Sequence, residues 1–122
     1  MNDLLLKQYI GLIECNNEEI SILANTSAFI MQNFQDISWA GFYLFKNNEL
    51  ILGPFQGKIA CTNIPLDKGV CGKAASTRKT VIVENVHQFA GHIACDSESN
   101  SEIVIPLIKG NQLYGVLDLD ST

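Results

Sequence analysis

The chain has 122 residues, of which 47% are hydrophobic, so one domain over residues 1–122 with a self-sufficient core is expected. Its 8 basic and 13 acidic residues give a net charge of -5 without a cluster of lysine or arginine, which argues against nucleic acid and anionic membrane surfaces as partners. The apolar runs are far shorter than the roughly 18 residues of a membrane span, and no signal-peptide pattern begins the sequence, so a cytoplasmic location is expected.

The first third of the sequence predicts two helices. Residues 3–14 place apolar side chains at steps of three and four, which is the period of an amphipathic helix. Asn16 followed by Glu19 resembles a helix start, because a capping side chain and an acidic first turn both favour the helix N-terminus. The same apolar period continues to Phe34, so a second helix should follow.

The hydrophobic pattern then changes to one that is typical of strands. A hairpin is predicted in which strands 39–45 and 49–52 flank a turn at 46–48. Pro54 is not expected inside a central strand, because proline lacks the N–H that the ladder needs. Residues 58–64 are predicted to form a third strand.

The second half of the chain predicts one short helix and three further strands. A helix led by glycine is expected at 69–75, and a short strand at 80–83. A final hairpin is expected at 103–108 and 112–119. This order of elements predicts an α+β fold with a mostly antiparallel central sheet and helices packed on one side.

The segment 84–101 is unusually long for a connection in so small a domain, and such loops are commonly functional. It contains the sequence Gly91-His92-Ile93-Ala94-Cys95-Asp96. A cysteine in a polar loop reaches solvent, and His92 favours its thiolate, although Asp96 opposes it. Cys95 is therefore a candidate nucleophile, and an incidental loop cysteine is the alternative.

The other cysteines lie in different predicted elements. Cys61 falls in a strand and Cys71 at a helix start, where the helix dipole favours a thiolate. Either thiol could meet Cys95 in the fold, and core packing is the alternative for both. Cys15 follows a helix and is expected to pack internally. No C-x-x-C or C-x-x-H pair occurs, so no metal site is predicted.

Acidic and aromatic side chains near predicted strands form a second group of candidates. Asp118 and Asp120 alternate with leucines, so both carboxylates should point to one face of the sheet. Such a pair, with Glu102 at another strand, can bind an ammonium group or hold a proton through a raised pKa; a solvated polar face is the alternative. Trp39 and Tyr43 also share a strand face, either as core residues or as the wall of a pocket.

Together these segments resemble the free methionine-(R)-sulfoxide reductases, which are stand-alone GAF domains. The matching residues are W-A-G-F-Y (39–43), L-G-P-F-Q-G-K-I-A-C (52–61), G-V-C-G-K-A-A (69–75), V-H-Q-F-A-G-H-I-A-C-D-S-E-S-N-S-E-I-V-I-P (86–106) and G-V-L-D-L-D-S (115–121). The stretch around G-H-I-A-C-D is specific to this enzyme group. The resemblance implies a single GAF-like domain and leaves a homodimer open. The family's C-terminal helix is expected to be missing, because the chain stops at Thr122.

The resemblance also implies roles for individual residues. Cys95 matches the catalytic cysteine, and Cys61 and Cys71 match the two cysteines that resolve its oxidised form, of which Cys61 is favoured. Glu102 is the implied proton donor. The implied substrate pocket consists of three carboxylates and two aromatic rings: Glu102, Asp118, Asp120, Trp39 and Tyr43.

The expected reaction is therefore the reduction of free L-methionine (R)-sulfoxide to methionine. A thiolate attacks the sulfoxide sulfur, methionine leaves, and the resulting sulfenic acid condenses with a second thiol to form a disulfide. Thioredoxin or another dithiol reduces this disulfide, so no metal or other cofactor is expected. The carboxylates would bind the ammonium group that only the free amino acid carries. A GAF module that binds a small molecule without turnover and a thiol redox sensor are the alternatives.

Overall fold

The computed structural model of the protein describes residues 3–86 and 100–122. Within these ranges the elements, in chain order, are α1 (Asp3–Glu14), α2 (Glu19–Asn33), β1 (Ile37–Lys46), β2 (Glu49–Gln56), β3 (Asn63–Pro65), α3 (Gly69–Thr77), β4 (Val81–Val83), β5 (Ser101–Lys109) and β6 (Gln112–Ser121). The helices among them are too short or too polar to span a membrane.

The six strands form one sheet in the order β3-β2-β1-β6-β5-β4. Every neighbouring pair in it is antiparallel, which confirms the predicted α+β class and sheet. The two central strands, β1 and β6, come from distant parts of the sequence. Their pairing therefore joins the N-terminal hairpin to the C-terminal one.

The helices cover both faces of this sheet. Ile103 and Leu119 line an apolar cavity of about 420 Å³ together with residues of α1 and α2. The next residue along β5 from Ile103 is Glu102, which contacts Cys71 of α3. Because successive strand residues point to opposite faces, α3 lies across the sheet from α1 and α2. The predicted one-sided packing thus holds for the first two helices only. The small buried side chains of α3 suit close packing on the other face.

The hairpin of β1 and β2 departs from the prediction at Pro54, which lies inside β2. The turn itself is as predicted, because Asn47 and Asn48 adopt the positive φ angles of 55° and 62° that a tight hairpin turn requires. Pairing of β2 with β3 covers only Glu49–Ile51, so Pro54 has a neighbouring strand on one side only. A proline is tolerated at such an edge position.

The predicted third strand, 58–64, is wrong in extent, because β3 comprises only Asn63–Pro65. The carbonyl groups of Lys58 and Cys61 accept hydrogen bonds from side chains of β1 instead of from a neighbouring strand. The segment before β3 therefore leaves the sheet. The other predicted elements agree with the structure to within a few residues.

Gly115 permits the close approach of the two central strands. It pairs with Leu44 of β1, and a Cβ at this position would lie 2.3 Å from the carbonyl oxygen of Tyr43. We expect Gly115→Ala to lower the free energy of unfolding by about 1–3 kcal/mol or more, because backbone must shift to admit the methyl group. Urea denaturation measures this change.

Gly11→Ala is the matched control, because a Cβ at Gly11 in α1 meets nothing within 4 Å. Here the substitution should raise the free energy of unfolding by roughly 0.5–1 kcal/mol, the helix-propensity difference between alanine and glycine. Changes of the same sign at both positions would contradict this account of the β1–β6 contact.

Candidate active site

Three acidic side chains lie side by side on the face of the sheet that α3 covers. In the register of β5 and β6, Glu102 pairs with Asp120, and Val104 pairs with Asp118. Paired residues, and residues two apart on one strand, point to the same face. Glu102, Asp118 and Asp120 thus form one carboxylate cluster, and the two aspartates share a face as the alternation with leucine predicts.

Asp118 is the most buried member of the carboxylate cluster, with 5% of its surface exposed. Burial raises the pKa of its carboxyl group well above the usual value, and the nearby Glu102 and Asp120 raise it further through charge repulsion and hydrogen bonding. Its Oδ1 atom is buried without a hydrogen-bond partner in the described part of the chain. The cluster therefore retains a proton at a pH where an exposed aspartate is ionised, and it favours a cationic partner.

Cys71 contacts the carboxylate cluster from α3. Its Sγ donates a hydrogen bond to Oε2 of Glu102 across 3.7 Å, and the side chain is 4% exposed. Burial raises the pKa of this thiol well above its usual value, and the charges of Asp118 and Glu102 raise it further. These effects oppose the thiolate that the helix start alone would favour, so Cys71 is a poor nucleophile in this environment.

Trp39 and Tyr43 lie beside the cluster on the same face, since Trp39 pairs with Asp120 in the register of β1 and β6. Their rings are stacked, with centroids 5.9 Å apart. Nε1 of Trp39 donates a hydrogen bond to the carbonyl of Lys58 at 3.0 Å, and the Tyr43 hydroxyl donates one to the carbonyl of Cys61 at 2.9 Å. The two aromatic residues therefore hold the segment that carries Cys61 against the site.

The Tyr43 hydroxyl remains a donor over the whole physiological pH range. Only 2% of the residue is exposed, and burial raises its pKa above the usual value. The neighbouring Cys71 and the carboxylates add to this effect through their charges. The hydrogen bond to Cys61 is thus not switched by pH.

Phe55 and Gly41 pack against Trp39 in this part of the site, and the sequence alone did not assign either residue to the site. The ring of Phe55 stacks on Trp39 with centroids 5.1 Å apart. A Cβ at Gly41 would lie 2.3 Å from Cβ of Phe55 and 2.8 Å from the Trp39 ring, so the glycine makes room for both aromatic side chains. The signal was present as a glycine midway between Trp39 and Tyr43, on the same strand face.

The cysteines differ in state and position. Cys61 is disulfide-bonded, whereas Cys15 and Cys71 carry free thiols. Cys15 is exposed, so the prediction of internal packing is wrong. The predicted nucleophile Cys95 and its neighbour His92 lie outside the described residues.

The chain matches a family of known proteins over most of its length. Residues 18–122 match the family model described as a GAF domain. The chain is 52% identical over 118 residues to the free methionine-R-sulfoxide reductase of Escherichia coli (strain K12). This alignment covers 97% of this chain and 72% of that protein. It is 48% identical over 124 residues to the protein of the same name from Saccharomyces cerevisiae, covering 95% and 69% of the two chains.

Solved structures agree with these sequence matches. The reduced form of the Staphylococcus aureus fRMsr superposes with a TM-score of 0.92 at 56% identity, over 97% of this chain and 77% of that one. The free methionine-R-sulfoxide reductase of Neisseria meningitidis, in complex with its substrate, gives a TM-score of 0.92 at 44% identity, over 96% and 71%. The GAF-like fold is thereby confirmed.

The raised pKa of Asp118 predicts a specific dependence of stability on pH. The folded protein binds this proton more tightly than the unfolded chain, whose ordinary aspartate pKa is 3.8. The stabilisation is complete below that value and is lost as the pH rises through the raised folded pKa. Asp118→Asn should therefore gain stability relative to the native protein as the pH rises above about 3.8, by at most about 1.4 kcal/mol per pH unit.

Urea unfolding at a series of pH values measures this difference. Asp36→Asn, which makes the same substitution at an exposed position just before β1, is the matched control. The same pH trend in both variants, or no trend in Asp118→Asn, would show that the burial of this carboxyl group is not its cause.

Proposed function

Because the chain belongs to the GAF-domain family of free methionine-R-sulfoxide reductases, we propose that it reduces the R-sulfoxide of free L-methionine to methionine. The observation that carries this proposal is the carboxylate cluster, which is partly buried beside stacked aromatic rings. Clustered acidic groups in a poorly solvated position favour a cationic ligand. The ammonium group of a free amino acid is such a ligand.

The same cluster accounts for selection of the free amino acid. A methionine sulfoxide within a peptide has an amide in place of the ammonium group, so it cannot neutralise the acidic side chains. Trp39 and Tyr43 would contact the methyl-sulfinyl end, since aromatic rings make favourable contacts with sulfur-bearing side chains. The Neisseria meningitidis relative, solved in complex with its substrate, supports free methionine sulfoxide as the substrate.

The proposed chemistry begins with attack of the Cys95 thiolate on the sulfoxide sulfur. The oxygen passes to the cysteine as a sulfenic acid, the substrate sulfur gains two electrons, and methionine leaves as a thioether. Glu102 supplies the proton that the departing oxygen needs. The proton that the carboxylate cluster retains through the raised pKa of Asp118 supports this role.

The second half of the cycle removes the sulfenic acid. A second thiol attacks it, water leaves, and a disulfide forms that thioredoxin or another dithiol reduces. We assign this second thiol to Cys61, because Cys61 is disulfide-bonded, whereas Cys71 is free and its pKa is raised. A dithiol reductant of this kind agrees with the cytoplasmic location expected from the sequence.

Assays on the separate diastereomers of free methionine sulfoxide test the proposed reaction. With a dithiol present, the R form should yield methionine and the S form should stay at background. N-acetylation of the R form should lower kcat/KM about 10- to 100-fold, because a hydrogen bond to a charged group contributes roughly 1.5–3 kcal/mol. Methionine is quantified by chromatography.

Two variants serve as controls for this assay. Cys95→Ser should reduce turnover to background, whereas Cys15→Ser changes an exposed thiol and should keep the native rate. Equal rates for the two diastereomers, or full activity in Cys95→Ser, would defeat the proposal. Tight binding of the sulfoxide without any methionine formed would favour the ligand-binding GAF module instead.

The choice of Cys61 as the second thiol predicts a difference between two variants. With thioredoxin as the reductant, Cys61→Ser should form about one methionine per chain and then stop, because the sulfenic acid loses its partner. Cys71→Ser should continue through many turnovers. Rapid-quench measurement of methionine separates the first turnover from the steady state, and the reverse pattern would assign the role to Cys71.

A further inference from the structure

Three atoms of metal-ligand type converge from three elements of the fold. Cys71 in α3, Glu102 in β5 and Asp118 in β6 each offer a sulfur or oxygen atom, and these atoms lie within 4.8 Å of one another. The separation of Cys71 Sγ and Glu102 Oε2 is 3.7 Å. In a tetrahedral zinc site, Zn–S and Zn–O distances of about 2.3 and 2.0 Å place such ligands about 3.5 Å apart. The measured separation of this pair is therefore close to that of two ligands in such a site.

The state of Asp118 independently points to a missing positive ligand. Only 5% of the residue's surface is exposed. Its Oδ1 atom lacks a hydrogen-bond partner in the described ranges 3–86 and 100–122. Buried carboxylate oxygens are normally paired or coordinate a metal. A cation among the three side chains would supply the partner that Oδ1 lacks and would reduce the repulsion between the acidic groups.

We propose that the reduced protein binds one Zn²⁺ ion through Cys71, Glu102 and Asp118. One thiolate with two carboxylates is a donor set that suits zinc, whereas Mg²⁺ and Ca²⁺ take oxygen ligands only. Three protein ligands leave a fourth position open for water or a small molecule. The sequence predicted no metal site because that prediction used local cysteine and histidine pairs, and these ligands are brought together only by the fold.

Zinc at this position would inhibit the proposed reductase. The ion would occupy the carboxylates that the substrate ammonium group needs, so zinc and substrate should compete. This consequence rests on the proposed function, but the binding of zinc itself does not. The test therefore measures metal binding directly and does not depend on enzymatic turnover.

Cobalt(II) is the direct probe, because a thiolate ligand gives it a sulfur-to-metal absorption band in the near ultraviolet. The full chain, reduced and then freed of the reductant, should show this band with one equivalent of Co²⁺ and lose it when one equivalent of Zn²⁺ is added. Cys71→Ser should abolish the band. It should also weaken zinc binding by at least about 100-fold in competition with a chromophoric chelator, since loss of even an outer-shell partner costs roughly 10- to 100-fold.

Asp118→Asn provides a second test that keeps the thiol and the side-chain shape. It should retain the cobalt band and weaken zinc binding, whereas Cys15→Ser should match the native protein in both measurements. Circular dichroism checks the fold of each variant. A native chain without the band, or a band that survives Cys71→Ser and disappears in Cys61→Ser or Cys95→Ser, would overturn the proposal. Absence of reductase activity with this binding pattern intact would instead count against the proposed function alone.

Discussion

The site depends on the register of β6 between β1 and β5. Leu117 and Leu119 point to the face covered by α1 and α2, and the intervening Asp118 points to the face covered by α3. A slip of one residue would exchange the leucines and the aspartates, because the side-chain period of a strand is two. Packing of the partly buried leucines on that face thus fixes the place of the carboxylates, and Gly115 allows the central strands to come close enough for this register.

Once the carboxylates are fixed, they set the chemistry of the groups around them. Burial and negative charge raise the pKa of both Asp118 and Cys71, so the protonated form of each is favoured for the same physical reasons. Cys61 is held differently, through its backbone carbonyl and the hydroxyl of Tyr43. The fold therefore gives two thiols different environments. Cys71 contacts the carboxylate cluster and has a raised pKa, whereas Cys61 lies beside Tyr43 and is disulfide-bonded.

The sequence predicted those parts of the site that depend on local alternation. Asp118 and Asp120 share a strand face because they are two residues apart, and no knowledge of the rest of the fold is needed for that inference. The environment of Cys71 depends on which face α3 covers, which is a tertiary property. The predicted end of the second strand, at residue 52, was wrong for a similar reason, because the rule for Pro54 requires knowing whether a neighbouring strand is present on each side.

The attachment of the segment before β3 determines which changes near Cys61 the sheet can tolerate. Side chains of Trp39 and Tyr43 anchor its carbonyl groups at Lys58 and Cys61, whereas the sheet itself ends at Gln56 and resumes at Asn63. We therefore expect substitutions at Ile59 and Ala60, between the two anchor points, to leave the strand ladder intact. The surroundings of the Cys61 sulfur can therefore change while the strands beneath it keep their pairing.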